Sequence, residues 1–206
     1  LVIMLKDDAL VKQVASKEGV DKEFVSVGLA KGTIVIPYNL KRPRRIEPCG
    51  IGRGLRTKVN ANIGTSPAIA NIDEERLKLH AAIDAGADTV MDLSTGGDID
   101  AVRRMIIAES SVPLGTVPIY QAACEASKRK KSFVELTVDE IFEGIRKHLE
   151  DGVDFLTVHT GLTLEGVERL RNRRRLAGIV SRGGALMVEW MIRNKAENPL
   201  AEYFDR

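Results

Sequence analysis

Gly86-Ala-Asp-Thr-Val-Met-Asp-Leu-Ser-Thr-Gly96 runs from a glycine through an apolar, strand-like core to a cluster of polar groups and a second glycine. Four other segments likewise carry an apolar run into a polar residue followed by glycine or a turn: Lys58-Val-Asn-Ala-Asn-Ile-Gly64, Pro113-Leu-Gly-Thr-Val-Pro-Ile-Tyr120, Phe155-Leu-Thr-Val-His-Thr-Gly161 and Gly178-Ile-Val-Ser-Arg-Gly-Gly184. Stretches with helical spacing lie between them. Strands alternating with helices predict βαβ units and a parallel sheet. In such sheets ligands gather at the carboxyl ends of the strands, where loops and helix N-termini converge. Asn62, Asp92, Tyr120, His159 and Arg182 are all expected on that rim. A structural protein has little reason to place polar groups so consistently, and the pattern reads as an enzyme face.

The intervening helices carry their own start and stop signals. Asn71-x-x-Glu74 offers a capping box for a helix over about Asp73 to Ala85, with Gly86 at its C-terminal end. Asp98 caps a second helix that stops before Pro113. Thr137-x-x-Glu140 opens a third, with Ile141, Phe142, Ile145 and Leu149 on one face and Gly152 after it. Further helices are expected over Leu164 to Arg173 and Ala185 to Lys195, the last ended by Asn198-Pro199.

Residues 1–55 differ from the remainder. Leu10, Val11, Val14 and Ala15 are spaced for a helix, and Asp21 is a plausible cap for another. A turn at Gly28 to Gly32 leads into the strand Thr33-Ile-Val-Ile-Pro37, and Lys41 to Pro48 reads as a connector. The expected organisation is a small N-terminal α+β domain over 1–55 and a run of βα units over 56–206. Five units are too few for a closed (β/α)₈ TIM-type barrel, which takes eight in about 250 residues. A doubly wound sheet normally carries a glycine-rich phosphate fingerprint in its first turn, and Asn62-Ile-Gly-Thr-Ser66 is not one. The expectation is an α/β fold of TIM-barrel type containing the first five units.

Composition narrows the function. A net charge of +2 over 206 residues argues for neither nucleic acid nor membrane. The basic clusters at Lys41–Arg45, Lys128–Lys131 and Arg171–Arg175 read mainly as solvated faces and lack interleaved aromatics to stack on bases. No apolar segment approaches the roughly 20 residues that span a bilayer. The opening Leu1-Val-Ile-Met-Leu-Lys-Asp-Asp is too short and too soon acidic for a signal peptide. Cys49 and Cys124 form no CxxC pair, so the chain alone offers neither a disulfide framework nor a complete zinc or iron–sulfur ligand set. A reducing cytoplasm is the expected compartment.

Among the rim residues, His159 is the most versatile, since imidazole serves as acid, base, ligand or neutral donor near pH 7. A lone histidine is as often a satisfied structural group. Its company of four other polar strand ends favours a site role. His80 and His148 fall in helices and read as packing or surface residues. Ser181-Arg182-Gly183-Gly184 combines close backbone approach, a hydroxyl and a guanidinium fork, which suits phosphate or carboxylate; the plainer reading is a strand-to-helix turn. Asn62 suits a ring nitrogen or hydroxyl, Tyr120 offers a flat face to a heterocycle, and Met91 is either core or pocket lining. Asp92, Ser94 and Thr95 suit a hydroxylated ligand, or Asp92 merely caps a turn. No serine-triad order, HExxH or Walker sequence is present.

Lys58-Val-Asn-Ala-Asn-Ile-Gly-Thr-Ser66, Gly86 to Gly96, Pro113-x-Gly-Thr-Val-Pro-Ile-Tyr-Gln-Ala122, Gly152-Val-Asp-Phe155 with His159, Gly178 to Gly184 and Glu197-Asn-Pro-Leu200 resemble the phosphomethylpyrimidine synthase family, ThiC. The resemblance runs from about Gly28 to Arg206. It implies conversion of aminoimidazole ribotide to the phosphorylated hydroxymethylpyrimidine of thiamine, with a [4Fe–4S] cluster, S-adenosylmethionine and zinc. It further implies a (β/α)₈ barrel with an added N-terminal domain and a homodimer. Carried over residue by residue, the family's substrate contacts fall on Asn62, Met91, Tyr120, His159, Ser181, Arg182 and Gly183. The family's Asp-Gly-Leu-Arg motif, two zinc-binding histidines and Cys-x-x-Cys-x-x-x-x-Cys motif have no counterpart in these residues. The expectation is therefore the N-terminal part of the synthase, inactive as a segment on its own. The competing expectations are a short non-catalytic relative that binds a ligand or acts as a scaffold, and an unrelated phosphate-binding barrel.

Overall fold

The computed structural model describes residues 8–173 and 175–205; all of the stretch weighed as a leader except Asp8 lies outside the described residues. In chain order the elements are α1 (Asp8–Glu18), α2 (Lys22–Ala30), β1 (Ile34–Val35), β2 (Ile51–Gly52), β3 (Asn60–Ile63), α3 (Ile72–Asp84), β4 (Thr89–Asp92), α4 (Ile99–Glu109) and β5 (Leu114–Thr116). There follow α5 (Pro118–Lys128), a 3₁₀ turn at Phe133–Glu135, α6 (Val138–Asp151), β6 (Phe155–Leu156), α7 (Leu164–Asn172), α8 (Arg182–Asn194) and α9 (Pro199–Glu202). They form two compact units, one running through Thr116 and including Leu149–Phe155, the other made of Val117–His148 and the chain from Leu156 onward.

The first unit is built on a parallel sheet in the order β3-β4-β5-β6. Asn62 stands opposite Met91, and Met91 opposite Gly115. Because side chains alternate across a strand, these partners share one face and their neighbours the other. On the second face Ile63, Val90 and Leu114 are buried, and α3 packs against β3 and α4. The first face holds polar groups: Thr89 Oγ1 donates to Asn60 Oδ1 at 2.8 Å, and Asn60 Nδ2 donates to Asn62 Oδ1 at 3.3 Å. Gly115 leaves room there, since a Cβ would lie 2.3 Å from the Phe155 ring and 2.9 Å from Met91 Cε. Val11, Val14, Ala15, Val25 and Ile34 make a separate apolar cluster from α1, α2 and β1, with β1 and β2 antiparallel.

Buried charges pin the connections. Arg42 and Asp154 pair with both side chains fully buried. Arg42 also donates to Ile107 O at 3.2 Å and Ser110 O at 3.1 Å, while Asp154 accepts from Leu114 N at 2.8 Å and Asn39 N at 3.0 Å. In the second unit Gly144 lets α6 approach α5, a Cβ there lying 3.0 Å from Pro118 O. Trp190 Nε1 donates to Leu136 O at 2.8 Å, and Met187 and Met191 of α8 are fully buried.

Three of the capping signals read from sequence take physical form, whereas Asp21 precedes α2 without a side-chain cap bond. Asn71 Oδ1 accepts from Asp73 N and Glu74 N, Asp98 Oδ1 from Ala101 N, and Thr137 and Glu140 bond reciprocally. Three strand expectations need correction. The run Pro113–Tyr120 is a strand only over Leu114–Thr116, because Pro118 starts α5; proline's fixed φ and missing N–H suit the first helical turn. The strand at Phe155–His159 stops at Leu156. Gly178–Arg182 is not a strand: Ile179 and Val180 have no ladder partner among the described residues, and Ser181 caps α8, which begins at Arg182 rather than Ala185. Four parallel strands are therefore present among the described residues, not five. Gly28 lies within α2, while the last long helix ends where expected, at Asn194 with Lys195 as its C-cap, and Asn198 caps α9.

Candidate functional site

The residues singled out by sequence fall into two groups. In the first unit, Asn62 and Met91 are register partners at the carboxyl ends of β3 and β4, Asn62 exposed and Met91 half-buried. Asp92 ends β4 but turns away from any ligand role. It is buried, and its Oδ1 accepts from Ser94 N at 2.9 Å and Ser94 Oγ at 2.5 Å. Burial pushes its carboxyl above the usual range, offset in part by these bonds. Ser94 Oγ in turn accepts from Thr65 N at 3.0 Å, so Asp92 organises the loops after β3 and β4.

In the second unit, Tyr120, His159, Ser181, Arg182 and Gly183 meet in three contacts. The Arg182 guanidinium lies 5.6 Å from the centroid of the Tyr120 ring, within cation–π range. His159 Nε2 is 3.1 Å from Ser181 Oγ. Ser181 Oγ also accepts from Gly184 N at 3.1 Å, which caps α8 and contributes about 1 kcal/mol to helix stability. The imidazole rests on Gly183, where a Cβ would stand 2.3 Å from His159 Cε1. Tyr120, Arg182 and Gly183 thus sit in the first turns of helices, and His159 in a loop, rather than at strand ends. This arrangement places a hydroxyl, a guanidinium and a helix N-terminus together, a setting suited to an anion.

His159 Nδ1 is buried without a hydrogen-bond partner. Burial lowers the imidazole pKa, so the neutral form is the resident one at pH 7. An unpaired buried N–H costs more than an unpaired lone pair, which favours the tautomer with Nε2–H donating to Ser181 Oγ. The sign of the pH effect follows. With a folded pKa below the unfolded value of about 6.5, the group's contribution to stability is whole above pH 6.5 and is lost as pH falls toward the folded pKa. His159→Gln should therefore flatten the loss of melting temperature between pH 7 and 5. An unchanged acid slope in that variant would place the titration elsewhere.

Sequence reading places Asn198 at a helix stop and within the Glu197-Asn-Pro-Leu200 motif, and gives it no site role. It is fully buried, and Nδ2 donates to His159 O at 2.7 Å. An Asn followed by Pro is a local cap signal, but its long-range bond has no sequence signature.

The donor set does not fit an iron–sulfur cluster. Such clusters take three or four thiolates, and this chain has two cysteines, one in each compact unit. Among the described residues no group of three or more His, Cys, Asp or Glu side chains is placed to hold a metal. No described helix is long and apolar enough to cross a membrane.

An α/β protein with a parallel sheet, polar groups at strand ends and an anion-suited helix start is the class that fold and site define. The profile of the Radical SAM ThiC family matches residues 6–206. The chain belongs to that family. It is 55% identical over 196 residues to the phosphomethylpyrimidine synthase of Desulforudis audaxviator (strain MP104C), covering 95% of this chain and 45% of that protein. Identity to the protein of the same name from Caldanaerobacter subterraneus subsp. tengcongensis is 56% over 196 residues, with the same coverage. To that of Methanopyrus kandleri it is 49% over 195 residues, covering 95% and 46%. The chain spans a little under half the length of these curated relatives.

Proposed function

We propose that this chain is the N-terminal portion of a phosphomethylpyrimidine synthase and carries part of the pocket for aminoimidazole ribotide. The whole protein would convert that ribotide to 4-amino-5-hydroxymethyl-2-methylpyrimidine phosphate, as a radical S-adenosylmethionine lyase of thiamine biosynthesis, working as a cytoplasmic homodimer. The fold assigned to it is a (β/α)₈ barrel, with residues 1–55 as an α+β domain and 56–206 as the first part of the barrel. Supporting the barrel are the sequential, unreversed strand order and a sheet with one apolar face and one face bearing Asn60, Asn62 and Met91. Supporting the separate domain is the self-contained cluster around Val14 and Val25.

The observation that carries the reading is the contact set of the second unit, in which five of the seven proposed substrate residues touch one another in pairs. The role assigned to Arg182, Ser181 and the N–H groups at the start of α8 is to hold the phosphate. Tyr120 restrains Arg182 and offers its ring to the heterocycle. His159 orients the substrate through a hydrogen bond, with Nδ1 the free position. Asn62 and Met91, register partners in the first unit, are proposed as substrate contacts on the family resemblance. Family membership implies S-adenosylmethionine, a [4Fe–4S] cluster and zinc; the cluster and zinc find no ligand set among the described residues, so the part assigned to this chain is binding and orientation.

Positioning, rather than proton transfer, is the role proposed for His159. In the full-length, cluster-reconstituted protein, His159→Gln keeps a donor and an acceptor and should retain appreciable pyrimidine phosphate formation, whereas His159→Ala should lose most of it. If both variants bind ribotide normally and Gln is as inactive as Ala, proton transfer is the better assignment.

A further inference from the structure

We infer that Asn198 is a positioning residue for the ribotide site, setting the place of His159 through its backbone; this rests on the reading of His159 as a substrate contact. Asn198 lies beyond the C-terminal end of α8 and is fully buried. Both protons of its side-chain amide are used. Nδ2 donates to His159 O at 2.7 Å and to Leu162 O at 2.9 Å, and Oδ1 accepts from Leu200 N at 3.0 Å. Glu197 extends the bracket: Oε1 accepts from Asn198 N at 2.7 Å, and the carboxylate accepts from Leu164 N, the first residue of α7, at 3.2 Å. The loop His159–Leu164 is thereby tied at both of its ends to one dipeptide.

The other tether on His159 acts on its ring. Ser181, at the N-terminal end of α8, meets Nε2, and Gly183 supports the imidazole face. The imidazole is thus fixed by two independent restraints, one on the ring from the start of α8 and one on the carbonyl from the segment after it. Both bonds are partly buried, and among the described residues no side chain but Asn198 bonds to both His159 O and Leu162 O. Removing the amide frees the loop to turn its carbonyls toward water, carrying the ring off Ser181.

Asn198→Ser separates the two jobs of this residue. A serine hydroxyl still caps α9 by accepting from Leu200 N, but is too short to reach both carbonyls. Should that variant not fold, Asn198→Asp keeps the volume and the cap while replacing the amide donors with oxygen, and is read in the same way. In full-length protein labelled with ¹⁵N-histidine, the His159 ring signals are assigned by their absence in His159→Gln. Asn198→Ser should move those signals away from the wild-type, Ser181-bonded position while the protein still unfolds cooperatively. It should also weaken ribotide binding about tenfold, the scale of one buried unsatisfied group, and by less than twofold when His159 is already Ala. Unmoved His159 signals, or an equal loss of affinity in both backgrounds, overturn the proposal. If His159→Ala itself binds ribotide as wild type does, the site reading fails separately, and the ring signals alone still decide the role of Asn198.

Discussion

Asp154→Ala should destabilise the first unit by about 3–5 kcal/mol, because it strands a buried guanidinium without its counter-charge. Arg42 and Asp154 are both fully enclosed. Removing the carboxylate also takes the acceptor from Leu114 N and Asn39 N, so β5 and the connector before β2 lose an anchor together. Burial pushes the Asp154 carboxyl upward while Arg42 and these two N–H groups oppose that rise. The double variant Arg42→Met/Asp154→Leu, which removes both charges, should be less destabilised than Asp154→Ala. Hydrogen exchange in the full-length protein reads this locally, at Leu114 and the end of α4. Exchange there within about 1 kcal/mol of wild type would mean that the pair contributes only as an exposed one does.

The second large effect is expected at Gly183. Its backbone lies in α8 with no positive φ, so alanine costs nothing conformationally and gains up to about 1 kcal/mol of helix propensity. The obstacle is the imidazole. A methyl group would sit 2.3 Å from Cε1, 2.6 Å from Nε2 and 2.9 Å from Nδ1 of His159. The ring must leave, at a strain of about 1–3 kcal/mol if it stays. Gly183→Ala should therefore keep its melting temperature near wild type and lose about one to two decades of ribotide affinity. Gly184→Ala is the matched control, since its nearest neighbours lie at 3.3–3.4 Å and small shifts absorb them. Equal affinities for the two alanine variants would remove the His159–Gly183 contact from the site.

These two sites differ in how far sequence foretold them. Gly183 stood in a glycine-rich turn that reads as an anion site without any coordinate, and Asn71, Asp98 and Thr137 announced their helices because capping is a local interaction. The strands β4 and β5 are legible from their apolar cores, and β3, Asn60-Ala-Asn-Ile63, from the glycine turn that follows it. What failed was β structure whose existence depends on a neighbour. Ile179-Val180 has strand character, yet a strand exists only as part of a ladder, and these residues lie half-buried and exposed with no partner strand among the described residues. Pro118 was read inside a strand, although its position also suits a helix start, which moved Tyr120 onto α5. Arg42–Asp154 and Asn198–His159 join residues 112 and 39 positions apart, a separation at which no periodicity or cap signal operates.

The central claim, that the start of α8 holds the phosphate of a ribotide, is tested most directly by calorimetric titration of the full-length protein with aminoimidazole ribotide and with its dephosphorylated nucleoside. Arg182→Ala should weaken ribotide binding by roughly 1.5–3 kcal/mol, the scale of hydrogen bonds to charged groups, and leave nucleoside binding nearly unchanged. Equal losses for the two ligands would contradict the account and leave Arg182 as no more than a companion to the Tyr120 ring.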